Sequence, residues 1–246
     1  AALWLFIFMP GLGLLDHYLA KIVGPMNNNW LGRSNTALLA LAPGDSVYAY
    51  YNALAHGATP AHQPPELNRA LFDNMAELYD VHMVRTLKYQ LPKQIADQLI
   101  ARYPDKKINV LDLGCGTGLL GVCLGRLDGA LVGVDISKGM IEQAARHNVY
   151  DRFHHTNLLD ALEDTPASLY QVLAALDVFI YAGEMDQAIP NALRILTPGG
   201  QFIFSCEAAP ADGPALVLQP SGRYAHQRSH IQALCEVAGF APVEIE

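Results

Sequence analysis

The sequence predicts an α/β protein: a doubly wound, mostly parallel sheet with helices on both faces, preceded by an N-terminal helical extension. From residue 106 onward, short aliphatic segments alternate with amphipathic ones, as strands and helices do in repeated strand–helix units. Before that point the apolar positions follow a helical spacing, broken by turns rich in proline and glycine. The 246 residues, 51% of them hydrophobic, suffice for one such domain (residues 66–246) and an extension (residues 1–65).

The extension begins with a long uncharged segment, AALWLFIFMPGLGLL. A helix that spans a membrane needs about 20 apolar residues, and Pro10 and Gly11 interrupt this one. We therefore expect a buried helical hairpin at this place. An apolar surface that contacts a partner protein or a membrane through residues 1–25 is the alternative.

Further helices are predicted before the first strand of the core. TALLALAPGDSVYAYYNALAHGATP predicts two short helices, the second of which is capped by Asp45 or Ser46. ELNRALFDNMAELYDVHMVRTL has the spacing of an amphipathic helix with a break near Asp80, and PKQIADQLIARY begins a helix with proline in its first turn. We therefore divide the domain into a helical cap, residues 66–105, and a core, residues 106–246.

The core is predicted to alternate strands with helices. Its predicted strands are INVLDLG, ALVGVDIS, DRFHHTNLL, DVFIYAG, GGQFIFSCEA and FAPVEIE. Its predicted helices are LLGVCLGRL, KGMIEQAARHN, MDQAIPNALRIL and HQRSHIQALCEVAG, while PASLYQVLAAL fits either type. The sequence given stops just after what looks like the penultimate strand, so we expect either that residues are missing there or that a partner covers an unfinished sheet edge.

A glycine-rich turn, VLDLGCGTGLL, joins the first core strand to a helix through Gly114, Gly116 and Gly118. Glycine accepts positive φ and lets the backbone approach a ligand without a Cβ in the way. Asp135 ends the next strand, where a carboxylate can accept hydrogen bonds from both hydroxyls of a ribose. This order of strand, glycine loop, helix, strand and acid predicts a nucleotide-binding site at the carboxyl ends of the strands.

The residues around the glycines narrow the choice of ligand. Leu119 stands where the dinucleotide fingerprint needs a small residue, which disfavours an NAD-dependent oxidoreductase. The G-K-[S/T] ending of a P-loop is also absent. Asp112 precedes the glycines, and a carboxylate there suits a ligand that carries positive charge rather than a pyrophosphate.

The composition limits the remaining function classes. A net charge of −8 and a pI of about 5.5 disfavour binding to the phosphates of nucleic acids. The four cysteines contain no C-x-x-C pair and the nine histidines are scattered. We therefore expect neither a disulfide framework nor a metal site.

VLDLGCGTG followed by GVDIS resembles the class I S-adenosylmethionine-dependent methyltransferases, which have a Rossmann-like fold. FHHTNLLDAL resembles their adenine-contacting loop, ALDVFIYAGEM their fourth strand, and ALRILTPGGQFIFS the helix, turn and strand that follow. PPELNRALFDNMAELYDVHMV and LQPSGRYAHQRSHIQALCEVAGF are similar to bacterial predicted methyltransferases that carry tetratricopeptide-type helices before the catalytic domain. The resemblance implies a degenerate remnant of these repeats at residues 30–57.

The resemblance implies S-adenosylmethionine as the cofactor and S-adenosylhomocysteine as the product. It assigns Asp112 to the methionine ammonium and Asp135 to the ribose, whereas Asn157 stands where the family more often has Asp, so we expect weakened or altered binding. Core packing is the alternative role of Tyr79 and Met140. The cofactor-binding residues that it implies are Tyr79, Asp112, Gly114, Gly116, Gly118, Asp135, Ile136, Met140, Asn157 and Leu158.

The implied reaction is direct displacement, which transfers a methyl group to a small-molecule or protein acceptor that the sequence does not identify. Tyr181, Glu184 and His226 are the candidate catalytic residues, because a base is needed when the acceptor loses a proton. Tyr224 is a further candidate, and Arg223 is the candidate partner of an acidic acceptor; a solvated loop is the alternative for Arg223 and His226.

The alternative function is a non-catalytic subunit that keeps the methyltransferase fold and acts as a scaffold in a larger, membrane-associated complex. The apolar start of the chain and its low content of charged residues, 16%, favour this alternative. The intact glycine loop with Asp112 and Asp135 favours the enzyme. We expect a cytoplasmic protein, peripheral to the membrane where residues 1–25 contact it.

Overall fold

Nine strands are found within the described residues, which are 2–8 and 45–245 of the computed structural model. They are β1 (Ala2–Phe8), β2 (Val110–Leu113), β3 (Leu131–Asp135), β4 (Arg152–His155), β5 (Tyr170–Ala175), β6 (Leu196–Ala208), β7 (Leu216–Leu218), β8 (Tyr224–His226) and β9 (Val243–Ile245). A π-helical segment, Val81–Thr86, accompanies the α-helices. These are α1 (Ser46–Ala55), α2 (Pro65–Met75), α3 (Leu91–Arg102), α4 (Leu119–Leu124), α5 (Lys138–Ala145), α6 (Leu158–Asp164), α7 (Phe179–Ala182), α8 (Ala188–Ile195) and α9 (Arg228–Ala238).

The strands form one mostly parallel sheet, as the sequence predicts. Seven of them lie in the order β4-β3-β2-β5-β6-β1-β9, and every neighbouring pair in this row is parallel. β8 pairs in parallel with the end of β6, and β7 pairs antiparallel with β8. The chain runs from β2 to β3 and β4 on one side and from β5 to β6 on the other. The order therefore reverses between β2 and β5, which is where doubly wound sheets bind ligands.

Helices cover both faces of the sheet and form a separate apolar core on each. Successive strand residues point to opposite faces, so the neighbours Val110 and Leu111 of β2 enter different cores. Leu111 belongs to the core with α6, α8 and α9, where Ile189 is fully buried. Val110 belongs to the core with α3 and α4, where Ile95 is fully buried. This two-sided burial explains why the core strands are continuous apolar runs rather than alternating ones.

The segment after α6 differs from the sequence prediction. DVFIYAG was expected to be a strand, but β5 is formed by YQVLAA, and Phe179–Ala182 is the helix α7. Periodicity does not separate a short buried strand from a short buried helix, which is why YQVLAA fitted either type and DVFIYAG was wrongly predicted to be a strand. Asp177, with a φ of +56°, lies between them and turns the backbone away from the extended conformation.

The helices before the first core strand follow the prediction with one interruption. Asp45 caps α1, because its Oδ1 accepts hydrogen bonds from the backbone N–H groups of Val47 (2.9 Å) and Tyr48 (3.2 Å). α2 ends at Met75, and Val81–Thr86 is π-helical, so the break expected near Asp80 begins earlier.

The N-terminal strand β1 lies between β6 and β9. Its register pairs Ala2 with Gln201 and Leu3 with Val243, so over Ala2–Phe8 the predicted helix is replaced by a strand. An uncharged apolar run of this length suits either type, and a position between two parallel strands favours the extended one. Among the described residues, no strand pairs with the outer side of β9.

The remainder of the predicted hairpin and most of the predicted repeat remnant lie outside the described residues. From residue 45 to 57 the structure has one helix, α1, which gives no support for tetratricopeptide-type helices. Within the described parts of the chain, no helix is long and apolar enough to cross a lipid bilayer.

Candidate functional site

A cavity of about 270 Å³ lies at the carboxyl ends of β2, β3 and β5. Its floor includes Gly114 and Gly116 after β2, Asp135 after β3, and Asp177 after β5. Residues of α2, such as Phe72, cover it from the cap. The cavity thus occupies the point where the strand order reverses.

The glycine loop has the conformation that the sequence predicts. Gly114 and Gly116 have φ values of +68° and +52°, which disfavour residues with a Cβ. A Cβ on Gly114 would lie 2.3 Å from Cγ2 of Val178, whereas a Cβ on Gly116 would meet no atom within 4 Å. Gly116 therefore presents bare backbone to the open space of the cavity. Gly118 does not line the cavity but lies at the N-terminus of α4.

Asp135 lines the cavity with a fixed carboxylate. Its Oδ2 accepts a hydrogen bond from the N–H of Gly116 (2.8 Å), and its Oδ1 accepts one from the N–H of Ser137 (2.8 Å). Burial raises the pKa of Asp135, and these two backbone donors oppose the shift. Each carboxylate oxygen retains a further lone pair, so Asp135 can accept hydrogen bonds from a diol without losing its present partners.

Asp112, in contrast, does not line the cavity. It is 2% exposed, and the Tyr150 hydroxyl donates a hydrogen bond to its Oδ2 at 2.6 Å. Burial raises the pKa of Asp112 to about 7, although the hydroxyl of Tyr150 lowers it and Asp135 raises it further. The side chain expected to face a ligand's ammonium group therefore lies behind the glycine loop. No motif pointed to Tyr150, whose hydroxyl also accepts from the N–H of Gly121 (3.2 Å).

The end of the cavity beside β3 and α6 is mainly apolar. Ile136, Met140 and Leu158 line it, as the resemblance implies, and Met140 is 1% exposed. Asn157 also lines it, but this side chain caps α6. Its Oδ1 accepts from the N–H of Asp160 at 2.9 Å, and its Nδ2 donates to the Asp160 carboxylate. Asn157 therefore keeps only part of its hydrogen-bonding capacity for a ligand.

Two carboxylates hold the cap against the loop region. Oδ1 of Asp73 on α2 accepts hydrogen bonds from Oγ of Ser137 (2.6 Å) and the N–H of Gly139 (3.0 Å). Asp80, just before the π-helical segment, accepts one from Oγ1 of Thr117. The cap is thereby attached to both α5 and the glycine loop, on two sides of the cavity.

Aromatic side chains close the end of the cavity beside β5. Tyr79 and Tyr181 both line it, as predicted, and burial raises the pKa of each hydroxyl well above its ordinary value. The ring of Phe72 packs edge-on against that of Tyr181, with 5.0 Å between ring centroids. These rings form an apolar wall between the cap and α7.

Of the three predicted catalytic residues, only Tyr181 lines the cavity. Gly183, with a φ of +88°, reverses the chain after α7, so Glu184 is exposed and its N–H donates to the carbonyl of Ala61 (2.9 Å). His226 is 2% exposed on β8 and donates from Nε2 to the carbonyl of Gly183 (2.8 Å). Burial lowers the pKa of His226, which favours the neutral ring.

Tyr224 and Arg223 also lie away from the cavity lining. The Tyr224 hydroxyl donates to the carbonyl of Pro60 at 3.0 Å, which ties β8 to the loop before α2. Nε of Arg223 lies 2.6 Å from Oε1 of Glu207, and both side chains are largely buried. This guanidinium therefore already has a carboxylate partner, and it reaches the cavity only through its hydrogen bond with Tyr181.

The lining residues that the sequence analysis missed include His62 and Asp177. Nδ1 of His62 lies 2.9 Å from the carbonyl oxygen of Ala182. The Ser205 hydroxyl donates to Oδ1 of Asp177 (2.7 Å) and accepts from its N–H (2.7 Å), and Tyr89 also hydrogen-bonds to this carboxylate. An acid directly after an apolar strand, as at Asp135, was the available signal for Asp177. No motif marks His62.

The lining as a whole is acidic. Among residues 45–245 it contains three aspartates, Asp135, Asp160 and Asp177, but neither lysine nor arginine. Such a lining suits a ligand with positive charge and is unfavourable for the pyrophosphate of a dinucleotide.

Comparison with known proteins identifies the type of domain. Residues 110–200 match the family model described as a methyltransferase domain. The ubiquinone biosynthesis O-methyltransferase of Proteus mirabilis is 24% identical over 137 residues, which are 54% of this chain and 54% of that protein. The malonyl-[acyl-carrier protein] O-methyltransferase of Priestia megaterium is 28% identical over 144 residues, 57% of this chain and 51% of that protein. The chain spans about half the length of these curated relatives.

Solved structures share the fold. Magnesium protoporphyrin IX methyltransferase from Synechocystis PCC 6803 with bound S-adenosylmethionine aligns with a TM-score of 0.55 at 19% identity, over 74% of this chain and 89% of that one. A Leishmania major S-adenosylmethionine-dependent methyltransferase aligns with a TM-score of 0.57 at 17% identity, over 77% and 80%.

These similarities define the chain first as a protein with a Rossmann-like methyltransferase fold. Residues 110–200 are similar to the methyltransferase domain family, and the solved structures show that the fold is that of S-adenosylmethionine-dependent methyltransferases. The similarities support S-adenosylmethionine as the cofactor and S-adenosylhomocysteine as the product, as the sequence predicts. The scaffold alternative receives no support from these similarities.

Proposed function

We propose that this protein transfers the methyl group of S-adenosylmethionine to an oxygen atom of a small-molecule or protein acceptor. The observation that carries the proposal is the acidic cavity at the glycine loop, whose lining among the described residues has three aspartates and neither lysine nor arginine. The choice of oxygen is supported by the two curated relatives described above, both of which are O-methyltransferases.

The residues of the cavity fit the cofactor. Gly116 offers backbone with open space where a Cβ would point, and Asp135 offers carboxylate oxygens for the ribose hydroxyls. Ile136 and Met140 offer apolar surface for the adenine. When bound, the cofactor supplies an electrophilic methyl group on a sulfonium.

His62 is the residue that we propose as the base on the acceptor side. A carbonyl oxygen only accepts hydrogen bonds, so Nδ1 of His62 carries the hydrogen shared with Ala182. In the neutral ring, Nε2 then has the lone pair that can take the proton of an acceptor hydroxyl. Tyr181 on the neighbouring helix lines the same cavity and positions the acceptor against the wall that it forms with Phe72.

The loop that carries His62 is held rigidly, as a catalytic base requires. The carbonyl of Pro60 accepts from Tyr224, and the carbonyl of Ala61 accepts from the N–H of Glu184. A Cβ on Gly183 would lie 2.0 Å from the carbonyl oxygen of Ala61, so this close approach requires glycine.

Calorimetric titration tests the cofactor part of the proposal. The wild-type chain is expected to bind S-adenosylhomocysteine and not NADH. Asp135→Ala is expected to weaken binding about tenfold or more, because the ribose loses a charged acceptor. Asp97→Asn, an exposed aspartate on α3 that pairs with Lys93, is the matched control and should bind as the wild type does. Absence of binding by the wild type, or unchanged binding by Asp135→Ala, would contradict the proposal.

Transfer of a labelled methyl group tests the acceptor part. A panel of phenols, catechols and carboxylic acids is compared with a panel of amines and thiols, and the proposal requires product from the oxygen panel. His62→Gln is expected to lower turnover about 100-fold, since general-base catalysis contributes roughly 10²–10⁴, while binding of S-adenosylhomocysteine stays unchanged. Product only from amines or thiols, or full turnover by His62→Gln, would refute the oxygen acceptor or the base, respectively.

A further inference from the structure

Asp177 lies in the cavity, where the family resemblance led us to expect the carboxylate of Asp112. The carboxylate expected near the cofactor's ammonium group was Asp112, but Asp112 lies outside the cavity lining and Asp177 lies within it. Asp177 follows β5, on the far side of β2 from Asp135. Two strand spacings separate β3 from β5, so the two acids lie about 10 Å apart across the glycine loop.

The hydrogen bonds of Asp177 fix its carboxylate, and the cation that acts on it, Arg223, does so without forming an ion pair with it. Its partners are the hydroxyls of Ser205 and Tyr89. Among residues 45–245, no lysine or arginine forms an ion pair with Asp177, and Arg223, which acts on it through space, is paired with Glu207. A carboxylate removed from water is costly unless a positive charge compensates it.

The backbone of Asp177 supports a role in binding. Its φ of +56° lies in the left-handed region, which costs free energy in a residue with a Cβ. The N–H of Asp177 donates to Oγ of Ser205, which holds this conformation. Strained residues that the surrounding structure fixes in this way cluster at ligand sites. Burial raises the pKa of Asp177, and a bound cation would lower it again.

We infer that the carboxylate of Asp177 binds the α-ammonium group of the cofactor's amino acid portion, opposite Asp135 at the ribose. The inference rests on the proposed function, because it concerns the same cofactor. In the cofactor the ribose and the α-ammonium lie on opposite sides of the sulfur, which matches acids on opposite sides of the glycine loop. Asp112 then accepts the hydrogen bond of Tyr150 and stabilises the loop, and it does not contact the ligand.

Calorimetry with two ligands separates this inference from the proposed function. S-adenosylhomocysteine carries the α-ammonium group, whereas 5′-methylthioadenosine lacks the whole amino acid portion. Asp177→Asn keeps the size of the side chain and tolerates positive φ. The Asp177→Asn substitution is expected to weaken the binding of S-adenosylhomocysteine about 10-fold to 100-fold, since a charge-assisted hydrogen bond is lost. Binding of 5′-methylthioadenosine should change by less than about twofold.

Three results would overturn the inference. Equal weakening of both ligands by Asp177→Asn, or no weakening, would refute it while the proposed function stands. A selective loss of S-adenosylhomocysteine in Asp112→Asn instead would return the ammonium to Asp112. Failure of the wild type to bind either ligand would refute the proposed function and this inference together. The wild type also allows a test without any variant, because equal affinity for S-adenosylhomocysteine and its deaminated analogue would exclude an ammonium-binding carboxylate.

Discussion

At the scale of single residues, the buried carboxyl group of Asp112 makes the stability of the folded protein depend on pH. Its pKa of about 7 lies above its ordinary value of 3.8, so the folded state holds more protons than the unfolded state between these values. The stability that this group contributes is therefore present below pH 4 and is lost as the pH rises to about 7.

Asp112→Asn is expected to stabilise the cofactor-free protein at pH 8 by roughly 1–4 kcal/mol, because it removes a buried charge and retains an acceptor for Tyr150. The gain should shrink at pH 5, where the wild-type carboxyl group is protonated. Thermal melts at both pH values measure it, with Asp97→Asn as the exposed control. A variant that is less stable than the wild type at pH 8 would contradict this account.

Most of the cofactor-binding residues that were predicted from the sequence lie around one cavity in the structure. Eight of the ten residues implied for the cofactor line the cavity: Tyr79, Gly114, Gly116, Asp135, Ile136, Met140, Asn157 and Leu158. Seven of them lie at or after the ends of β2, β3 and β4, so their position depends mostly on local sequence, and Tyr79 lies in the cap. Asp177 and His62 were missed because their placement depends on tertiary contacts, with Ser205 and with Ala182, that lie far along the chain.

At the scale of elements, Asp73 supplies the side-chain hydrogen bonds that attach α2 to the N-terminus of α5. Asp73→Ala removes hydrogen bonds to Ser137 and Gly139 and is expected to cost roughly 1–3 kcal/mol of cap attachment. Asn74→Ala is a close control, since the Asn74 side chain donates only to the carbonyl of Ala70 within α2. Limited proteolysis should cleave the cap faster in Asp73→Ala than in Asn74→Ala. Equal cleavage rates would show that apolar packing alone holds the cap.

The element β8 supports the turn after α7 through His226. Burial lowers the pKa of His226 below its ordinary value of 6.5, so the unfolded state takes up more protons as the pH falls below that value. Stability contributed by this residue is therefore full above about pH 6.5 and is lost on acidification. His226→Gln retains a donor for Gly183 and should flatten the loss of melting temperature between pH 6.5 and 5. An unchanged pH profile would mean that other groups cause the loss of melting temperature at acidic pH.

The wrong prediction of a strand for the segment after Asp177 shows the limit of sequence patterns for elements. Tyr170–Ala175 and Phe179–Ala182 are both short and apolar, and each is covered on both sides in the fold. What distinguishes them is the turn at Asp177, which Ser205 of the neighbouring strand stabilises. A contact between strands that are distant in sequence leaves no local pattern.

At the scale of the whole molecule, β1 links β6 to β9 and thereby completes the sheet on one side. Leu5→Pro removes a backbone N–H from the middle of this strand and is expected to lower the melting temperature by roughly 5 °C or more. Leu5→Val keeps the N–H and suits a strand, so it should melt close to the wild type. Identical melting of the two variants would exclude a structural role for β1. The doubly wound sheet itself was predictable, since its repeated strand–helix units are local, but the position of β1 was not.

The position of β1 also has a kinetic consequence. Ala2 pairs with Gln201 and Leu3 with Val243, so this strand is synthesised long before either of its partners leaves the ribosome. Until then its backbone N–H and carbonyl groups lack the partners that they have in the sheet, which is a condition under which chaperones bind nascent chains. The closure of so long a loop is costly in entropy and places the docking of β1 late in folding. The glycine loop, whose strands are neighbours in sequence, is expected to form before the sheet is complete.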